Sequence, residues 1–170
     1  MEKPHRNLRP SIESRIGKNL HLQANHPLEI LKKHIFSYFE KLPSYSFHFE
    51  DKLPPIVPIE ENFDKLLILP EHPSRRMSDT YYVSETEVLR THTSAHQNQL
   101  LAKGLRHFLV AGDVYRKDEI NRSHFPVFHQ IEGVGLTGDK DPKEELLRVL
   151  DGLMEFLFPG CDRRINPDYF

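Results

Sequence analysis

The run Val127–Leu136 (VFHQIEGVGL) alternates in character, and that alternation sorts its reactive groups. Side chains on a strand take opposite faces in turn, so Gln130 and Glu132 share one face with Phe128 and Val134. Val127, His129 and Ile131 take the other. An amide and a carboxylate among apolar neighbours need partners when buried. Together they suit a positively charged ammonium group; the plainer reading is a partly exposed sheet face. Arg116 ends a second β-rich run, Phe108–Arg116 (FLVAGDVYR). Its planar donor fork fits phosphate, although a strand-end arginine is commonly a solvated or paired surface residue. Arg122, Ser123 and His124 in the connecting KDEINRSHFP stretch extend the case for an anion site. His92 and His96 stand one helical turn apart, a spacing that metal sites use. No acidic residue lies between them, and among 11 histidines such a pair arises by chance, so no metal site is assigned. Ser94 lacks a nucleophile-elbow setting. No Walker or Rossmann glycine loop is present, so any nucleotide is held in another way.

The elements that must position these groups are readable in outline. Asn25-His26-Pro27 opens a helix whose Leu28, Leu31, Ile35 and Phe39 recur at helical spacing to about Lys41, before Pro43 stops it. Residues 43–62, with Pro43, Pro54, Pro55 and Pro58, read as an extended loop with short strands. Leu66–Leu69 is expected to be a short buried strand ending at Pro70, His72–Arg76 an ordered loop and Thr80–Val83 a strand. Thr91–Ser94 caps a helix that ends at Gly104. The runs flanking Lys117–Pro126 form an antiparallel pair, because the connection is too long for a tight turn. Asp141–Glu144 is a capping box for a last helix, which Gly160 ends. Its stripe of Leu146, Leu147, Leu150, Leu153, Met154 and Leu157 is expected in the core. Helices around antiparallel strands, without a repeating βαβ unit, give an α+β class.

Composition bounds the rest. The 170 residues are 38% hydrophobic and 28% charged, which is globular rather than disordered. Lys and Arg number 23 against 25 Asp and Glu, a net charge of -2 that excludes a strongly basic nucleic-acid coat. The single cysteine, Cys161, allows neither an internal disulfide nor a thiolate zinc cluster. Apolar runs such as Leu66–Leu69 fall far short of the ~20 residues that span a bilayer, so no membrane partner is expected. Residues 1–13 read as a disordered leader; they lack a secretory signal and fit an organelle presequence only in part.

Four stretches then resemble a known family. THTSAHQ (91–97), GDVYRKDEINRSHFPVFHQIEG (112–133), FDKLLILPEHPSRRMSDTYY (63–82) and SRIGKNLHLQANHPL (14–28) are similar to phenylalanyl-tRNA synthetase, a class II aminoacyl-tRNA synthetase, and most of all to its single-chain mitochondrial form. The resemblance implies a partial class II catalytic domain over 14–170, an antiparallel sheet flanked by helices. The segment ending at Pro70 would be the first motif, a helix and strand with an interface proline. Arg116 would open the second motif, clamping the ATP α-phosphate and the amino-acid carboxylate, with Ser123, His124 and Phe125 approaching ATP. Gln130, Ile131 and Glu132 would hold the phenylalanine α-amino group. His92, Ser94, Ala95, His96 and Gln97 would line the amino-acid pocket. Asp118 stands where many relatives carry Glu.

The implied activity is a phenylalanine–tRNA ligase that uses ATP and Mg2+ to make phenylalanyl-adenylate and passes the amino acid to tRNA(Phe). The implied compartment is the mitochondrial matrix, with the cytoplasm as the alternative, and the parent enzyme is expected to be a monomer. The Phe-Pro-Phe strand, the third-motif arginine and the anticodon-binding domain would all follow Phe170. The 170-residue chain alone is therefore expected to be inactive or nearly so, with an exposed sheet edge. The rival reading is a non-catalytic paralogue or interaction module; a zinc hydrolase through His92 and His96 is the weakest.

Overall fold

The computed structural model describes residues 5–166. The outer parts of two expectations, the leader at 1–4 and the chain end at 167–170, lie outside them. From Asn7 onward the expected leader is packed. The Asn7 side chain donates to the Met77 and Thr80 carbonyls and accepts from the Tyr82 amide. Helix α1 (Pro10–Glu13) buries Ile12, 4% exposed, against Tyr81, Leu89 and Tyr115.

A 3-10 turn (Leu20–Leu22) leads to α2 (Pro27–Glu40), which is capped by His26. The His26 Nδ1 accepts from the Leu28 amide at 3.2 Å, relieving one orphan donor of the first turn. Beyond Pro43 come β1 (His48–Glu50), β2 (Ile56–Pro58) and α3 (Ile59–Asn62). The expected strand at Leu66–Leu69 does not form. Asp64–Leu66 is a 3-10 turn, Leu67 takes a left-handed conformation (φ 61°), and Leu67 and Leu69 are 87% and 68% exposed. A four-residue apolar run can be read as a strand or a turn, and here no partner strand lies alongside it among the described residues. The strand inferred for the first motif is accordingly not formed, and the segment before Pro70 is helical only in α3 and the 3-10 turn. The Thr80–Val83 strand shrinks to one bridge, Tyr82 to Val88; the paired strand is β3 (Glu87–Leu89), antiparallel to β2.

A 3-10 turn at Thr93–His96 runs into α4 (Gln97–Ala102), and Gly104 stops it at φ 86°. Then come β4 (His107–Tyr115) and β5 (Val127–Gly135), antiparallel across nine residue pairs from His107–Gly135 to Tyr115–Val127. β1 adds to the other side of β4 in parallel, giving the order β1-β4-β5. The sheet is therefore mixed, not purely antiparallel as expected. β4 is central and buried from Phe108 to Tyr115, which explains its continuous apolar run.

Helix α5 (Pro142–Leu157) begins as its capping box requires, Asp141 accepting from the Glu144 amide at 2.9 Å. With α2 it covers one face of the sheet, where Leu153 and Phe39 meet Leu109 and Ile131. Only part of the expected leucine stripe is core. Leu146 is 56% exposed and Leu150 is also exposed, because the contact with α2 runs through Val149, Leu153, Met154 and Leu157. The opposite sheet face carries Phe108 and Val110 against Leu100 of α4 and Val134 of β5.

Candidate active site

β4–β5 pairing sets Val110 opposite Glu132, Gly112 opposite Gln130 and Val114 opposite Phe128. Phe128, Gln130 and Glu132 thus form one row, on the face away from α2 and α5. Arg116 closes one end. Its amide donates to the Pro126 carbonyl at 2.9 Å, and its guanidinium lies over the Phe128 ring, 5.2 Å from the centroid. At the other end the Ser94 hydroxyl donates to Glu132 Oε2, and Thr93 reaches the same oxygen at 3.4 Å. Arg116 Nε donates to the Thr91 carbonyl at 3.0 Å, so one short segment, residues 91–94, touches both ends of the row. Residues 128 and 132 are ~13 Å apart along a strand, room for a small zwitterion and a phosphate side by side.

The polar groups between these ends are poised rather than spent. Gln130 Oε1 is buried without a hydrogen-bond partner, and so are both ring nitrogens of His92. Such atoms are rare in a finished protein interior and mark places where a ligand's donors fit. Burial, reinforced by Arg116, lowers His92 to about 4, so its ring is neutral at pH 7. A cleft of about 440 Å³ opens at the Arg116 end, lined by Thr91, His92, Arg116, Asp118, Asp79 and His72 among others, and Gln130 and Glu132 do not line it.

Several expected site residues are placed elsewhere. Ile131 faces the α2–α5 side, packed in the cluster of Leu109 and Leu153. Ala95 is fully buried with Val57, Phe63 and Val88. His96 is buried too, its Nε2 3.0 Å from Arg90 Nη1. Gln97 starts α4 and is half-buried. Ser123 and His124 hang on the turn of their own loop, their amides donating to Asn121 Oδ1 at 2.8 and 2.9 Å. Phe125 lies under Arg15, whose guanidinium carbon is 4.7 Å from the ring centroid. Thr91, Thr93 and Phe128 join the site although sequence reasoning gave them no role in it. Phe128 was legible from the alternation that singled out Gln130; the threonines act through one carbonyl and one long contact, which no spacing reveals.

A mixed sheet with a strand–loop–strand arm, an arginine where the arm meets its loop and a carboxylate–amide row along it defines a class of protein. The chain belongs to the class II tRNA synthetases: the family described as tRNA synthetases class II core domain (F) matches residues 11–170. Within that family it is 43% identical over 178 residues to "Phenylalanine--tRNA ligase, chloroplastic/mitochondrial" of Arabidopsis thaliana, an alignment covering 98% of this chain and 42% of that protein. It is 47% identical to "Phenylalanine--tRNA ligase, mitochondrial" of Rattus norvegicus, over 94% of this chain and 34% of the relative. The enzyme of the same name from Dictyostelium discoideum is 50% identical over 79% of this chain and 30% of its own length. The chain thus spans less than half the length of these curated relatives. Among solved structures, a pyrrolysyl tRNA synthetase from Desulfitobacterium hafniense shares the fold, with a TM-score of 0.59 at 15% identity, covering 77% of this chain and 45% of that one.

Proposed function

We propose that this chain supplies the phenylalanine- and ATP-binding surface of a phenylalanine–tRNA ligase. The observation that carries the reading is the row itself: Glu132, held by Ser94, and the unpartnered Gln130 Oε1 at one end, Arg116 at the other. The ammonium group of phenylalanine would dock on Glu132 and Gln130. Its carboxylate would then point along the strand towards Arg116, beside the ATP α-phosphate. A carboxylate oxygen attacks the α-phosphorus, and the bond from that phosphorus to the bridging oxygen breaks. Pyrophosphate leaves with the electron pair, and phenylalanyl-adenylate remains. The terminal ribose of tRNA(Phe) would later take the phenylalanyl group and release AMP.

Arg116 contributes positioning and charge neutralisation, and removing such a contact costs about 3 kcal/mol in the transition state. His92 stays neutral and so adds no second cation to repel the ammonium group. Among the described residues no three His, Cys, Asp or Glu side chains gather to hold a metal ion. A Mg2+ held by the ATP phosphates and one or two carboxylates needs no such cluster; it would add its charge to that of Arg116. The names of the relatives support a mitochondrial place for the parent enzyme; the matrix, and a monomeric parent, are our proposal, to be checked by fractionation and sedimentation.

Glu132→Gln tests the reading. Replacing the carboxylate by an amide should raise the phenylalanine dissociation constant about tenfold to a hundredfold, the worth of a hydrogen bond to a charged group. ATP affinity should stay within about twofold. Calorimetric titrations measure both, and an unaltered phenylalanine affinity would remove Glu132 from the role.

A further inference from the structure

The segment that touches both ends of the site is itself gripped by one side chain. Arg90 is 1% exposed at the end of β3, and its guanidinium donates in four directions. Nε reaches the Asp113 carbonyl at 2.7 Å and Nη2 the Asp113 carboxylate at 2.9 Å. Nη1 reaches the Leu53 carbonyl at 3.2 Å and His96 Nε2 at 3.0 Å. The Asp113 carboxylate also accepts from the Tyr115 hydroxyl. Backbone bonds fasten the same residue, Arg90 N to the Pro55 carbonyl and Tyr115 N to the Arg90 carbonyl. The guanidinium occupies space that only a glycine leaves: a Cβ on Gly112 would stand 2.0 Å from Nη2.

We propose that Arg90 is a positioning residue, whose fork clasps both ends of the 90–96 segment and so sets Ser94 against Glu132 and the Thr91 carbonyl against Arg116. The proposal rests on the reading of those groups as the phenylalanine and ATP site. An arginine only donates, so His96 must offer a lone pair at Nε2 and carry its proton on Nδ1. Burial, with Arg90 close by, keeps the ring neutral, while a hydrogen bond to the Pro54 backbone works the other way. Lysine lacks the fork and cannot replace these bonds. Because both ends of the site hang on one segment, loosening the clasp weakens both ligands together. A plain structural ion pair between Arg90 and Asp113 would affect stability alone.

Two measurements decide it. Nitrogen-15 spectra of the wild-type histidine rings should show His96 protonated at Nδ1 and bare at Nε2; a proton on Nε2 overturns the clasp, whether or not any ligand binds. Separately, His96→Gln keeps an acceptor oxygen, and both phenylalanine and ATP dissociation constants should stay within about threefold of wild type. His96→Leu removes the acceptor and should raise both by about tenfold, with an unchanged circular dichroism spectrum. If that variant does not fold, His96→Met is measured in its place. Wild-type affinities for both ligands in the Leu or Met variant overturn the proposal. If wild type binds neither ligand, the substrate reading fails, and the ring tautomer alone accepts or rejects the clasp.

Discussion

His92, His96 and His129 are each lowered to about 4, in every case by burial first, with Arg116, Arg90 and His21 respectively adding to it. An unfolded histidine titrates near 6.5. As pH falls through that value the unfolded chain takes up protons that the folded chain refuses, so the stability these rings contribute is full above about pH 6.5 and is lost towards about pH 4. The urea midpoint should therefore be level above about pH 7 and drop steadily between about pH 6.5 and pH 4.5. A level midpoint across that window would mean the rings are not buried in their neutral form. Gln130 and Glu132 were legible because a period of two assigns faces without any partner being known. The same period already put Ile131 on the opposite face, so the resemblance that grouped it with its neighbours was overridden by geometry. Arg90 was not legible, since one arginine at the end of a three-residue strand has no periodicity to betray it.

Elements with strong terminal signals formed as expected, and elements defined by short apolar runs did not. α5 begins at its aspartate because that side chain satisfies an amide the helix cannot. Asp141→Ala should cost about 1 kcal/mol, read as a lower urea midpoint, whereas Leu146→Gln, on the exposed side, should stay within about 0.5 kcal/mol. A large loss from the leucine change would return the whole stripe to the core. Helical spacing told that α5 is amphipathic but not how much of its apolar arc α2 would cover; four side chains of α2 (Ile35, Phe36, Tyr38 and Phe39) with Leu42 just beyond it fill a narrower band. β1, β2 and β3 are each three residues long, below the length at which alternation can be counted.

For the molecule as a whole, family membership and site geometry lead to the same expectation about ligands. Anything that binds only the folded state raises its stability by mass action, about 2.7 kcal/mol at a hundredfold excess over the dissociation constant. In a domain of this size that is a rise in melting temperature of several degrees. Phenylalanine and ATP should each produce it. A non-catalytic paralogue or interaction module would show neither shift, and a response to one ligand alone would split the row into a working and an idle half.

β1 and β4 lie side by side and parallel, so everything from residue 51 to 106 is a single crossing between neighbouring strands. The β4–β5 arm closes a far smaller circle of chain, and short circles are the cheaper to draw shut. Assembly should accordingly run from the arm outwards, with the Thr91–Ser94 cradle arriving last. Pulsed deuterium labelling during refolding would then shield amides of Val110 and Gly112, which face β5, before those of Leu89 and Leu100. Simultaneous shielding would mean that the long crossing is organised before the arm it serves.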